Sequence, residues 1–144
     1  MRGLFIIIVF SSLFSCSKDE DQLSEVPSLE LISIGPNSVV QFEDSVVIRL
    51  AYEDGDGDLG GFPADSVNLF VVDNRNGVPF EFRIQELVPG GAEVPIKGTL
   101  SITLQNLFLT GNGSQENATF NIYAYDRAGN KSNVVKTPGV TVLE

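Results

Sequence analysis

The chain has 144 residues, with 9 basic and 19 acidic side chains, no histidine and a formal charge of -10. That length accommodates one core of ordinary domain size behind a leader, and so acidic a chain lacks the clustered Lys and Arg that neutralise phosphates, which excludes nucleic acid as a partner. The single cysteine forbids an internal disulfide and, with no histidine, leaves no zinc cluster, so any metal site must be built from oxygen.

Met1-Arg2 gives a positive start, Gly3 to Phe10 an apolar run, and Ser11-Ser12-Leu13-Phe14-Ser15-Cys16 follows. A run this short suits an export signal, because a membrane span needs about 20 apolar residues. Leu13, Ser15 and Cys16 make the segment resemble the lipobox of bacterial lipoprotein precursors. The resemblance implies a signal peptide over residues 1–15 and Cys16 as the lipidated N-terminus; an ordinary secretory signal with an incidental cysteine is the other reading. Ser17-Lys18-Asp19-Glu20-Asp21 in turn resembles the export signal of Bacteroidetes lipoproteins, which implies an outer-membrane protein exposed at the cell surface, with the periplasmic face as the alternative. Residues 16–28 are expected to be a flexible acidic tether, since residues 17–28 have a polar composition without aromatic side chains.

From Leu29 the pattern has a period of two, which predicts a β domain over residues 29–144. Strands are expected near 29–34, 45–53, 66–73, 78–86, 97–105, 117–126 and 133–143. In the second of these, Val46, Ile48, Leu50 and Tyr52 alternate with Val47, Arg49, Ala51 and Glu53, the mark of a half-buried strand. Phe80, Phe82 and Ile84 form another such row, as do Leu100, Ile102 and Leu104, and Ala118, Phe120, Ile122 and Ala124. Val67 to Val72 is an almost unbroken apolar run, which suits a central strand covered on both faces or a less regular one. Turn residues separate these runs, at Gly35-Pro36-Asn37, Asn74 to Gly77, Pro89-Gly90-Gly91, Gly111-Asn112-Gly113 and Ala128-Gly129-Asn130. About seven short antiparallel strands at this spacing is the count of an immunoglobulin-like β-sandwich, fibronectin- or cadherin-like, with an antiparallel barrel as the alternative.

After the second strand comes Glu53-Asp54-Gly55-Asp56-Gly57-Asp58-Leu59-Gly60-Gly61. Three carboxylates at every second position repel one another, and a hard cation that takes oxygen ligands removes that cost. Asp54, Asp56 and Asp58 fall at positions 1, 3 and 5 of an EF-hand loop, and position 12 is Asp65. Leu59 replaces the invariant glycine, Asp65 replaces the bidentate glutamate, and β-like sequence flanks the loop, so the reading is a calcium loop on a β scaffold. Asp and Gly also serve plain solvated turns, and that reading stays open.

Phe120 to Ser132, with Asp126-Arg127-Ala128-Gly129-Asn130, resembles the sixth strand and following turn of bacterial Ig-like and fibronectin-type modules. Likewise, Asp-Gly-Asp-Gly-Asp-Leu-Gly resembles a signature of Bacteroidetes lipoproteins with an Ig-like domain. In such a sandwich the loops after the second and sixth strands share one end. Asp126 and Asn130 are therefore expected beside Asp54, Asp56 and Asp58, where they would complete an oxygen shell for structural Ca²⁺ or simply stabilise their own turn. Tyr123 and Tyr125 are candidate ligand-facing aromatics, or else a cover for the sheet. Asp44-Ser45-Val46 and Asp65-Ser66-Val67 fit a short O-glycosylation pattern, and Asn112 and Asn117 fit the N-glycosylation sequon, all motifs that arise readily by chance.

A non-enzymatic surface module follows as the expectation, a binding or accessory domain whose partner is a surface protein or glycan and whose membrane contact is a lipid anchor. With neither histidine nor a Gly-x-Ser-x-Gly elbow, catalysis would rest on carboxylates alone. A structural spacer without metal is the alternative, and a small carboxylate-dependent hydrolase the remote one.

Overall fold

A computed structural model describes residues 23–144, so the signal peptide, Cys16 and the tether up to residue 22 lie outside the described residues. The domain is all-β, with strands β1 (Ser28–Gly35), β2 (Ser38–Val40), β3 (Val46–Asp54), β4 (Leu69–Asp73), β5 (Pro79–Phe82), β6 (Ile96–Leu104), β7 (Gln115–Ala118), β8 (Phe120–Ala124), β9 (Val135–Lys136) and β10 (Val140–Leu143). One sheet has the order β1-β3-β6, a second β5-β4-β8-β9 and a third β2-β10-β7.

The second and third sheets continue each other. Strands β7 and β8 are separated by Thr119, β9 and β10 by residues 137–139, and the pairs β8–β9 and β7–β10 are both antiparallel. At the break, Thr137 stands in for ladder bonds: its N–H donates to Phe120 C=O (3.0 Å), and its Oγ1 accepts from Phe120 N–H (2.9 Å). A three-stranded layer thus faces a layer built on β5-β4-β8-β9, the two-layer arrangement of a β-sandwich. Short β2 runs parallel to β10 at the edge of the second layer, a strand the alternation does not announce.

The period of two decides what lies inside. Val46, Ile48 and Leu50 from β3 and Leu104 from β6 meet Val71 from β4 and Phe120 and Ile122 from β8, all fully buried. Phe80 packs edge-on to Phe120 with ring centroids 6.5 Å apart. Burying each such side chain contributes about 1.5–3 kcal/mol. Strand β4 alternates rather than being covered on both faces: Leu69, Val71 and Asp73 are buried, while Phe70 and Val72 are half-buried on the outer face.

Directions along the strands define two ends. Strand β3 runs from Val46 to Asp54, and Ser28 pairs with Glu53, so the chain enters beside the acidic loop. Strand β8 runs to the same end, since the turn after it reaches the acidic loop, where Ala128 N–H donates to Asp58 Oδ2. The loops after β3 and after β8 therefore share one tip, about 30 Å from the other by the rise of a nine-residue strand.

Candidate metal site

Register places Asp54. It closes the inward row Val46, Ile48, Leu50, Tyr52, so its carboxylate falls on the core side of the sheet and is fully buried. Five residues on, Leu59 turns back into the core, 1% exposed, and its N–H donates to Asp54 Oδ2 at 2.8 Å. The leucine that departs from the EF-hand pattern is thus the anchor that closes the loop.

Between these two fixed points the backbone runs in close contact with its neighbours. Gly57 has φ 74° and its α-carbon backs onto the Val94 carbonyl, leaving no room for a Cβ. Asp58 is 9% exposed, with Oδ2 accepting from Ala128 N–H at 2.9 Å. Arg127 adds its N–H to Asp58 C=O (3.3 Å) and its guanidinium to Gly60 C=O (2.9 Å). The turn after β8 therefore grips the acidic loop through its backbone.

One oxygen of Asp54 and one of Asp58 is spent on these bonds, and the others converge. Asp54 Oδ1, Asp56 Oδ1 and Asp58 Oδ1 are buried and have no hydrogen-bond partner. The three carboxylates offer oxygens that all lie within 4.8 Å of one another. A buried carboxylate oxygen without a partner carries its full desolvation cost. Burial accordingly pushes the Asp54 carboxyl up to about 6 against the pull of the Leu59 N–H, with Asp56 and Asp58 adding to the rise. Burial also raises Asp58, opposed by the Ala128 N–H, and the charges of Asp126 and Asp56 push it further. Inward register thus takes Asp54 out of water. Calcium–oxygen contacts of 2.3–2.6 Å allow one ion to reach three oxygens at such spacings, with carbonyls or water filling the shell.

Of the six residues expected to hold metal, Asp54, Asp56 and Asp58 are brought together. Asp126 lies next to the group, but its oxygens accept from Asn130 N–H (2.7 Å) and Asn130 Nδ2 (2.9 Å), so this pair stabilises its own turn. Asp65 is exposed in a turn and lies outside the three-carboxylate group. Tyr123 and Tyr125 flank Phe70 on the outer face, stacked at 5.3 Å and edge-on at 6.0 Å, and Lys131 Nζ sits 3.7 Å over the Tyr123 ring. These rings meet one another as a sheet cover does. Leu59 and the Ala128 N–H are the site's unforeseen parts. The apolar residue ending the Asp-Gly run signalled the first, whereas a backbone donor leaves no mark in sequence. Comparison of the chain with protein-family models, curated proteins and solved structures finds no match.

Proposed function

We propose that this protein is a non-enzymatic, surface-anchored lipoprotein whose Ig-like domain acts as a binding or accessory module and is stiffened at one tip by Ca²⁺. The observation that carries the metal is the trio of buried, unpartnered oxygens on Asp54, Asp56 and Asp58. Like charges at about 4 Å repel by about 4 kcal/mol per pair at an effective dielectric near 20, a cost that a divalent cation turns into attraction. The lipobox-like segment ending at Cys16 and the acidic stretch behind it support anchoring in the outer membrane, with a surface protein or glycan as the partner. Burial of the loop's free oxygens weighs against a hydrolase, since a catalytic carboxyl must touch its substrate.

Calcium at ten times its dissociation constant stabilises the fold by about 1.4 kcal/mol, a rise in melting temperature of roughly 5 °C for a domain of this size. Chelation reverses the rise and Asp56→Asn abolishes it; a melting curve unchanged across millimolar Ca²⁺ would remove the metal. A spacer without metal is the second reading, favoured by the self-bonded Asp126–Asn130 turn. Under that reading Asp56→Asn leaves both melting and partner binding as they were.

A further inference from the structure

The acidic loop touches one more segment, the stretch of chain that leads into the domain. Gly55, between two of the converging aspartates, donates its N–H to Ser24 C=O at 2.7 Å. Its α-carbon lies so close to the Leu23 and Ser24 carbonyls that no side chain fits there. Within the lead-in Val26 N–H donates to Ser24 Oγ (3.0 Å), and further along Pro27 is buried. Asn133 then bonds both the N–H and the C=O of Leu29, at 2.8 Å each. The expected tether is therefore docked on the body from residue 23.

We infer that the cation bound by Asp54, Asp56 and Asp58 locks this lead-in to the domain, so that Ca²⁺ sets the stiffness of the joint between the β body and the chain before it. This rests on the calcium reading above. That reading has more than an acidic cluster behind it, because Asp54 is fully buried with an oxygen aimed into the group and no partner. Without the cation, three mutually repelling carboxylates favour an opened loop. Gly55 is flanked on both sides by those carboxylates, so opening breaks its bond to Ser24 and releases the lead-in. A ligand that binds only the closed loop shifts the joint toward the docked state by mass action. The joint is thus a hinge whose looseness depends on external calcium.

Hydrogen–deuterium exchange on the full-length protein tests this, with free Ca²⁺ at ten times the dissociation constant measured by calorimetry and with chelator as reference. Expected is about tenfold slower exchange at Gly55 and over residues 23–29 with Ca²⁺, alongside slower exchange at Ala128. Cleavage by a Glu-specific protease at the exposed Glu25 slows by the same factor. Gly55→Ala, which pushes the lead-in off while keeping all three carboxylates, is expected to bind Ca²⁺ and protect Ala128 but not residues 23–29. Bound calcium that protects Ala128 in the unaltered protein and leaves residues 23–29 unchanged overturns the lock and spares the metal site. No calcium binding overturns both. The comparison of residues 23–29 with Ala128 lies within the unaltered chain, so it decides even if the Gly55→Ala chain fails to fold.

Discussion

At the scale of the residue, Asp54 is the most deeply buried of the three converging carboxylates. Burial raises its carboxyl to about 6, above the range of an unfolded aspartate near 4. A carboxyl raised on folding favours the folded state fully below the unfolded value, and that contribution is lost as pH rises through the folded one. In chelator, the share of stability owed to Asp54 is thus greatest below pH 4 and declines between about 4 and 6. The calcium we propose would invert the trend, because it would bind the deprotonated carboxylate. Its affinity is expected to climb as pH rises to about 6 and to level off above, with a proton released near that pH. Calorimetry at pH 6 in two buffers of different ionisation enthalpy measures that proton; equal heats would show Asp54 already ionised. Elsewhere a different residue-level solution serves the same need. Asp73 is buried too, but Arg75 meets it at 2.6 Å and also bonds Glu116 at 3.0 Å, so there the protein supplies the cation itself. The hydrogen bonds that the Arg75 guanidinium donates to Asp73 chiefly hold it above its usual range.

At the scale of the element, side-chain amides do what strand ladders leave undone. Asn68, 1% exposed, sits just ahead of β4. Its Oδ1 accepts from Ile84 N–H (2.8 Å) and its Nδ2 donates to Tyr125 C=O (3.1 Å), extending the pairing toward both neighbouring strands. Asn68→Ala leaves both backbone groups short of a partner and is expected to lower stability by about 1–3 kcal/mol without altering calcium affinity, as read by urea unfolding and calcium titration. An unchanged midpoint would mean that water takes over both bonds. Asn133 plays the like part for β1, offering one amide to both backbone groups of Leu29. These devices mark where legibility ends. Rows such as Val46-Ile48-Leu50 and Phe120-Ile122 announce themselves, because burial on one face forces alternation, and Asp54 stands in register with the first. The Val67–Val72 run hid its outer face, because Phe70 and Val72 are apolar there as well, under the aromatic cover. Strand β2 has only three residues and pairs in parallel with a partner about a hundred positions away, which no local pattern records. The site divides along the same line: carboxylate spacing and the shared tip were readable, but the distribution of their oxygens among backbone donors depends on tertiary approach.

At the scale of the whole molecule, the two tips differ in kind. One carries the acidic loop, the docked lead-in and the turn after β8. The other carries Phe42 and Phe108, 63% and 42% exposed and stacked at 5.8 Å, with Phe42 held at φ 62°. A bulky residue with positive φ is strained, so the far tip keeps an aromatic pair in water at a conformational cost.

The bond from Ala128 to Asp58 spans 70 positions of sequence. Closing so long a loop is entropically costly until the strands between have already paired. The trio of carboxylates is therefore expected to take its final shape late, after the barrier to folding has been crossed. Calcium should then act as a latch rather than a seed: in stopped-flow experiments it slows unfolding by the factor it adds to the equilibrium constant and leaves the refolding rate alone. Faster refolding with Ca²⁺ would show that the loop assembles before the barrier. A domain latched in this way would resist transient opening, and hence proteases, to a degree set by the calcium around it.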